Sequence, residues 1–253
     1  MNTKRYLKTS VLEEAKKRIS KTFDDFEKMY ISFSGGKDST VMTHLVMEEA
    51  IRRNRKVGLL IIDLEAQYEN TISHIEEMIE LYKDNIDLHW FCGELLLRNA
   101  VSDFEPKWCC WDSEQEEIWV REKPAMESDL SQYDFYIPRM EFEEVMILFG
   151  KWYAQGQKTA AFIGIRADES LHRYKAITAN KKNLTHKGLK WTTKIAKDVF
   201  NVYPIYDWRT EDIWVFHSKN KHLSHNKVYD LMTMAGVKPV SYTHLTLPMT
   251  PYV

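Results

Sequence analysis

Residues 30–39 read Tyr-Ile-Ser-Phe-Ser-Gly-Gly-Lys-Asp-Ser, a short apolar segment that runs into two glycines, a lysine and an acid. The paired glycines let the backbone turn sharply and let a ligand come close to it. From Asp38 to Ile51 the residues Val41, Met42, Leu45, Val46 and Ala50 fall on one helical face, so the stretch predicts strand, glycine turn, helix. Amide hydrogens at such a helix start lack intrahelical partners, and together with the helix dipole they attract anions. Ser34 and Ser39 add hydroxyls and Lys37 adds an ammonium, a set suited to a pyrophosphate. Asp38 sits where an acid either caps the helix or helps to hold Mg²⁺. The spacing is neither GxxxxGK[ST] nor GxGxxG, which argues against an ordinary P-loop NTPase or a Rossmann dehydrogenase. A Gly-Gly pair alone more often marks a plain turn, but the lysine, the serines and the preceding strand set this one apart.

Working outward, strand and helix signals alternate. An amphipathic helix is expected over residues 10–29, carried by Val11, Leu12, Ala15, Ile19, Phe23 and Phe26. The run KVGLLIID at 56–63 is continuously apolar, as in a parallel strand buried on both faces, and a helix follows over 70–82. Residues 88–91 suggest a third strand, whereas 104–140 is crowded with Trp, Pro and acids without a period and reads as an inserted, irregular lobe. A helix at 141–155, the buried-strand run KTAAFIGI at 158–165, a strand at 201–206 and helix starts at 211–216 and 228–235 complete the pattern. Between 180 and 197, Lys181, Lys182, Lys187, Lys190, Lys194 and Lys197 meet no acid until Asp198, which predicts a polar basic loop. The alternation implies an α/β fold with a doubly wound, mostly parallel sheet.

With 44% hydrophobic and 28% charged residues, the 253-residue chain has the make-up of a globular protein, and a disordered or fibrous class is excluded. The formal net charge of -2 carries no global signal for nucleic acid, so any anion site must be local. No apolar run is long enough to cross a bilayer and the N-terminus has no signal-peptide core, so no membrane partner and a cytoplasmic location are expected. Cys92, Cys109 and Cys110 form no disulfide framework and no CxxC pair, and are expected to be reduced. His217, His222 and His225 lack a metal-ligand spacing and read as surface histidines. Trp108 and Trp111 either stack on a base or fill a small satellite core, packing being the commoner use.

Four blocks in order then resemble a known family. The hexapeptide SGGKDS at 34–39 resembles the PP-loop of the ATP pyrophosphatase superfamily. Ile62-Asp63-Leu64-Glu65-Ala66-Gln67-Tyr68 looks like the acidic strand end of phosphoadenosine phosphosulfate (PAPS) reductases, and Arg166, Glu169, Ser170 and Arg173 match their R-x-x-E-S-x-x-R segment. Tyr203-Pro204-Ile205, Trp208 and Asp212-Ile213-Trp214 are similar to the run that follows. The blocks span about residues 30–236 and look like a bacterial and phage branch of PAPS reductase or sulfotransferase-like proteins.

The resemblance implies the adenine nucleotide alpha hydrolase-like fold and an adenine nucleotide, ATP or PAPS, as ligand. Its phosphates are expected on Ser34, Gly35, Gly36, Lys37, Asp38 and Ser39, with Lys37 and Arg166 catalytic. Asp63 and Glu65 would contact ribose or, for Asp38 and Asp63, Mg²⁺, while Arg166 and Arg173 would clamp phosphate or sulfate with Glu169 orienting a guanidinium and Ser170 beside them. The bland reading of Arg166, Glu169 and Arg173 is an exposed helix-surface pair. The expected activity is at the phosphate or sulfate end of the nucleotide, by a PAPS reductase-like or sulfurtransferase-like oxidoreductase or transferase, or by an ATP pyrophosphatase adenylating an unidentified acceptor. PAPS reductases attack the sulfonate with a cysteine near the C-terminus, and no cysteine follows Cys110 here. A catalytically inactive nucleotide-responsive regulator, with a protein or nucleic-acid partner on the lysine run, is the alternative. Residues 241–253, SYTHLTLPMTPYV, resemble translated sequencing-adapter sequence, so one domain over 1–240, a truncated natural C-terminus and a non-native tail are expected.

Overall fold

A computed structural model describes residues 8–99, 104–178 and 184–237. The chain opens with α1 (Val11–Asp25), started by a capping box in which Ser10 Oγ accepts from Glu13 N at 3.2 Å and Glu13 Oε2 accepts from Ser10 N at 3.0 Å. Then follow β1 (Lys28–Ser32), α2 (Lys37–Arg52), β2 (Val57–Ile62), α3 (Glu69–Tyr82) and β3 (Ile86–Phe91). A lobe built on β4 (Leu95–Arg98), β5 (Lys107–Cys110) and β6 (Met140–Glu141) interrupts the alternation. It resumes with α4 (Phe142–Ala154), β7 (Thr159–Ile163), α5 (Leu171–Thr178), β8 (Thr192–Ala196), β9 (Val199–Val202), α6 (Thr210–Lys219) and α7 (Val228–Met234).

The six-stranded sheet has the order β3-β2-β1-β7-β9-β8, parallel throughout except that β8 runs antiparallel to β9 at the edge. The chain therefore winds outward from β1 to β3 in one direction and from β7 onward in the other, with helices covering the faces. The doubly wound α/β fold expected from the sequence is the fold observed. Its reversal point lies between β1 and β7, where Ile31 pairs with Phe162 and Ser32 with Ile163. In such sheets the crevice beyond the carboxyl ends of those two strands is where ligands sit.

Strands β1, β2 and β7 are buried almost end to end, as their apolar runs predicted. The YPIYDW block locks α1 to the sheet. Arg18 donates to both oxygens of Asp207, at 2.7 and 2.6 Å, and to Pro204 O at 2.8 Å, while buried Trp208 donates to Val11 O at 3.1 Å. Among the described residues no helix is long and apolar enough to cross a membrane.

Two sequence expectations change. The lobe is not irregular throughout, because β5-β4-β6 form a small sheet of their own. The basic stretch is only partly a loop: Lys194 belongs to β8, an edge strand, where charged side chains on the open side are the usual protection against pairing. Lys187 pairs with Asp25 at 2.8 Å, at the end of the sheet opposite the crevice. Lys181, Lys182 and the tail at 241–253 lie outside the described residues.

Candidate nucleotide site

The glycine turn follows β1 directly. Gly35 has φ +68°, and a Cβ there would lie 2.8 Å from Thr71 Cγ2, so only glycine fits the turn beneath α3. Gly36 is the N-cap of α2 and lends no side chain to it. Thr40 N makes the first intrahelical bond, to Gly36 O at 2.9 Å, which leaves the Lys37, Asp38 and Ser39 amides without helical partners. The serines stitch the turn together: Ser39 Oγ donates to Gly36 O at 3.0 Å, Ser34 Oγ lies 3.0 Å from Ser39 Oγ, and Gly36 N donates to Ser34 Oγ at 3.4 Å.

The loop after β7 lies against this helix start. A Cβ on Gly164 would sit 2.7 Å from Ser39 Cα and 3.0 Å from Ser39 N, so the absence of a side chain at 164 lets the two strand ends approach. Arg166 follows, 2% exposed, and donates from Nε to Asp38 Oδ1 at 2.7 Å. The other oxygen of Asp38 holds Lys37 Nζ at 2.9 Å. Glu169 accepts from Arg166 N at 3.0 Å, lies 3.8 Å from Arg166 Nη2 and pairs with Arg173. Arg166 is thus no exposed helix-surface residue but the centre of a buried chain running Lys37, Asp38, Arg166, Glu169, Arg173. Three cations share two carboxylates, which leaves one positive charge in excess. Arg166 Nη1 is buried without a partner. Ser170 is spent on the start of α5, its Oγ accepting from Arg173 N at 3.1 Å.

Lys37, Asp38, Glu169 and Arg173 border an open cleft of about 170 Å³ at the reversal point, with Arg166 buried behind them. The glycine turn and Asp38 form its floor, the β2–α3 turn one wall, and Ile163, Gly164 and Ile165 another. Gln67, on the first wall, presents a buried side-chain oxygen that accepts no hydrogen bond. The apolar part comes from Leu64, Ile163, Ile165, Val228 and Met232.

Asp63 and Glu65 are used elsewhere. Asp63 is fully buried; Oδ2 accepts from Trp90 Nε1 at 3.0 Å, and Oδ1 accepts from Glu65 N at 2.9 Å and from Arg121. Glu65, at φ +64°, accepts from Trp111 N at 2.7 Å and Val120 N at 2.9 Å. Both carboxylates clamp the inserted lobe onto the end of β2, and Trp111 packs there as core, its Nε1 donating to Asp63 O at 2.9 Å. The donor set does not fit the Mg²⁺ expected at Asp38 and Asp63. The oxygens of Asp38 are held by Lys37 and Arg166 and those of Asp63 by three N–H donors, and Asp63 does not line the cleft, so these two carboxylates do not converge on it. The cysteines stand in and beside the lobe, and burial pushes Cys109 up to about 11, Cys110 up to about 12 and Cys92 higher, so all three are held as thiols.

The third wall was not legible in the sequence. The segment from His217 to Met234 lies across the glycine turn as a strap. His44 Nε2 donates to Ser224 O at 2.8 Å while its Nδ1 accepts from Tyr82 at 2.6 Å, and His74 is hydrogen-bonded to Ser224 Oγ at 3.0 Å and Thr40 Oγ1 at 2.8 Å. Burial lowers His44 to about 4 and His74 to about 3. Asn226 donates to Gly35 O at 2.9 Å and Thr71 Oγ1 at 3.0 Å, and Tyr229 accepts from Lys37 N at 3.3 Å. His217, expected on the surface, is half-buried beside Lys37, with its Nε2 buried and unpartnered. The polar cluster Ser224-His225-Asn226 before a short apolar period was the signal available, and it reads equally well as an ordinary loop.

A mostly parallel, doubly wound sheet whose reversal point opens onto a glycine turn at a helix start defines a doubly wound α/β protein with an anion-seeking crevice at its switch point. Within that class, the phosphoadenosine phosphosulfate reductase domain family model matches residues 28–232, and the chain belongs to this family. Protein YbdN of Escherichia coli (strain K12) is 38% identical over 248 residues, a match covering 97% of this chain and 60% of YbdN. The chain thus spans about 60% of that relative's length. Among solved structures, a Candida auris phosphoadenylyl-sulfate (PAPS) reductase in its phosphate complex is similar at 12% identity, with TM-score 0.49, over 91% of this chain and 94% of that one. The U34-tRNA thiolase NcsA of Methanococcus maripaludis is similar at 18% identity, with TM-score 0.46, over 88% and 67%.

Proposed function

We propose that the cleft binds the anionic end of an adenine nucleotide, ATP or PAPS, and that the chain is an enzyme acting at that end. The observation that carries this reading is the buried chain of three cations and two carboxylates, with its unpaired Arg166 Nη1, beside a helix start with unused amides. An excess charge held away from water is costly, and an anion in the cleft offsets that cost. The apolar wall of Leu64, Ile163, Ile165 and Met232 suits a base, and the unpaired oxygen of Gln67 suits a donor on its edge.

In the reaction, the α2 amides and Lys37 hold the phosphate or sulfate oxygens, and Arg166, fixed by Asp38 and Glu169, stabilises the charge that develops on them. The thiols of Cys92, Cys109 and Cys110 lie off the cleft and stay protonated, which favours an external acceptor over these cysteines as the nucleophile. With ATP, the acceptor attacks the α-phosphorus and pyrophosphate leaves. With PAPS, it attacks the sulfur and adenosine 3′,5′-bisphosphate leaves.

Calorimetric titration with ATP and with PAPS, using Lys37→Ala as control, tests binding. Assays of pyrophosphate release from ATP and of bisphosphate, sulfite or sulfate release from PAPS test turnover. Binding of either nucleotide that is lost in the variant supports the site. Binding without product across acceptors removes the enzyme and leaves a nucleotide-responsive regulator.

A further inference from the structure

The strap is built as a fixed wall. Ser224 is held by His44 and His74, its hydroxyl donates to Glu77 at 2.8 Å, and Asn226 bonds both Gly35 O and Thr71. These bonds tie the strap to α2, α3 and the glycine turn together. Swinging it away would break all of them at once.

What the strap presents to the cradle is Tyr229. Its hydroxyl accepts the Lys37 amide at 3.3 Å, and a Cβ on Gly36 would come within 3.4 Å of it. Lys37 Nζ lies 5.5 Å from the centre of the ring, and Trp214 meets it edge-on at 5.9 Å. The ring is thereby fixed from two sides. A phenol carries one proton to give as well as lone pairs to receive, and among the described residues the Tyr229 proton is donated to no group. Tyr229 lines the cleft. Burial raises its titration to about 12, so the proton stays on the oxygen at neutral pH.

We infer that Tyr229 is a ligand-contacting residue of the anion cradle: it is held by the Lys37 amide and donates its own O–H to an oxygen of the bound phosphate or sulfate. This rests on the nucleotide reading above and adds to it a donor from a strap 192 residues away in the chain. A hydrogen bond to a charged acceptor is worth roughly ten-fold or more in affinity.

The test is titration of the parent protein and of Tyr229→Phe with inorganic pyrophosphate, ATP and adenosine. The expected result is an affinity for pyrophosphate and ATP lower by about ten-fold or more, with adenosine unchanged. Unchanged pyrophosphate affinity overturns the assignment. Tighter binding overturns it too, because the phenol would then be a plug that competes for the Lys37 amide. An equal loss for adenosine makes Tyr229 merely structural. As a second measurement, Tyr229→3-fluorotyrosine keeps every contact and makes the phenol a better donor; tighter pyrophosphate binding is expected, and no gain counts against the proposal. A parent protein that binds neither pyrophosphate nor ATP removes the nucleotide reading and this inference with it, whereas a binding parent with an indifferent Tyr229→Phe removes the inference alone.

Discussion

Replacing Asp63 by asparagine separates the two uses of that carboxylate, clamp and ligand. Asp63 is fully buried and receives three donors on its two oxygens: Trp90 Nε1, Glu65 N and Arg121. Asparagine supplies one oxygen and one NH₂ group, so in either orientation the NH₂ points at a donor, and Arg121 loses its charge partner. Removing one partner of a buried pair costs about 3–5 kcal/mol, and the partial exposure of Arg121 argues for the low end. At about 2–4 °C per kcal/mol for a chain of this size, the melting temperature should fall by roughly 6–12 °C. The assay is calorimetric melting of parent, Asp63→Asn, Arg121→Met and the double variant. The double variant should melt close to the worse of the two single ones, because both singles break the same contact. The reasoning is refuted if Asp63→Asn melts within about 2 °C of the parent while Mg²⁺-dependent ATP binding disappears. Asp63 would then be a ligand rather than a clamp.

Gly164→Ala places a Cβ 2.7 Å from Ser39 Cα, where only backbone can yield; a cost of about 1–3 kcal/mol and weaker pyrophosphate binding are expected from melting and titration. Arg166→Lys keeps the charge but cannot reach Asp38 and Glu169 together, so turnover in whichever release assay proves active should fall about 100-fold, and a fall of less than three-fold would remove Arg166 from the chemistry. His44 and His74 take up protons near the ordinary value when unfolded but only near about 4 and about 3 when folded. The unfolded chain therefore binds more protons below about pH 6.5, and stability should drop as pH falls from there to 5, by up to about 1.4 kcal/mol per pH unit for each histidine. Urea unfolding at pH 7 and pH 5 measures the drop; His44→Gln should shrink it, and equal drops in parent and variant would exclude this burial as its source.

Much of the fold was legible because its signals are local. KVGLLIID and KTAAFIGI are continuous apolar runs, and a strand covered on both faces needs nothing else to declare itself. Strand β8 was hidden because an edge strand exposes one face, and its lysine read as part of a solvated run. Strand β4 was hidden because four residues are too few to show a period. The glycine turn, Lys37 and Arg166 could be named from their motifs, but a motif does not say which way a carboxylate points. Asp63 and Glu65 carried the expected pattern and proved to face the lobe, whose donors at Trp111, Val120 and Arg121 come from a stretch without periodicity.

The sequence by itself determined the layers, the order in which strands and helices alternate, and the anion-seeking helix start after β1, since each depends on residues within one or two turns of each other. The tertiary structure alone decided that Arg166 reaches Asp38 across 128 positions, that Gly164 lets the two strand ends touch, and that Tyr229 closes over Lys37. Those contacts follow from a parallel sheet that reverses its winding between β1 and β7. Parallel strands meet only through long crossovers, so residues that share the crevice are far apart in the chain and leave no local trace of one another.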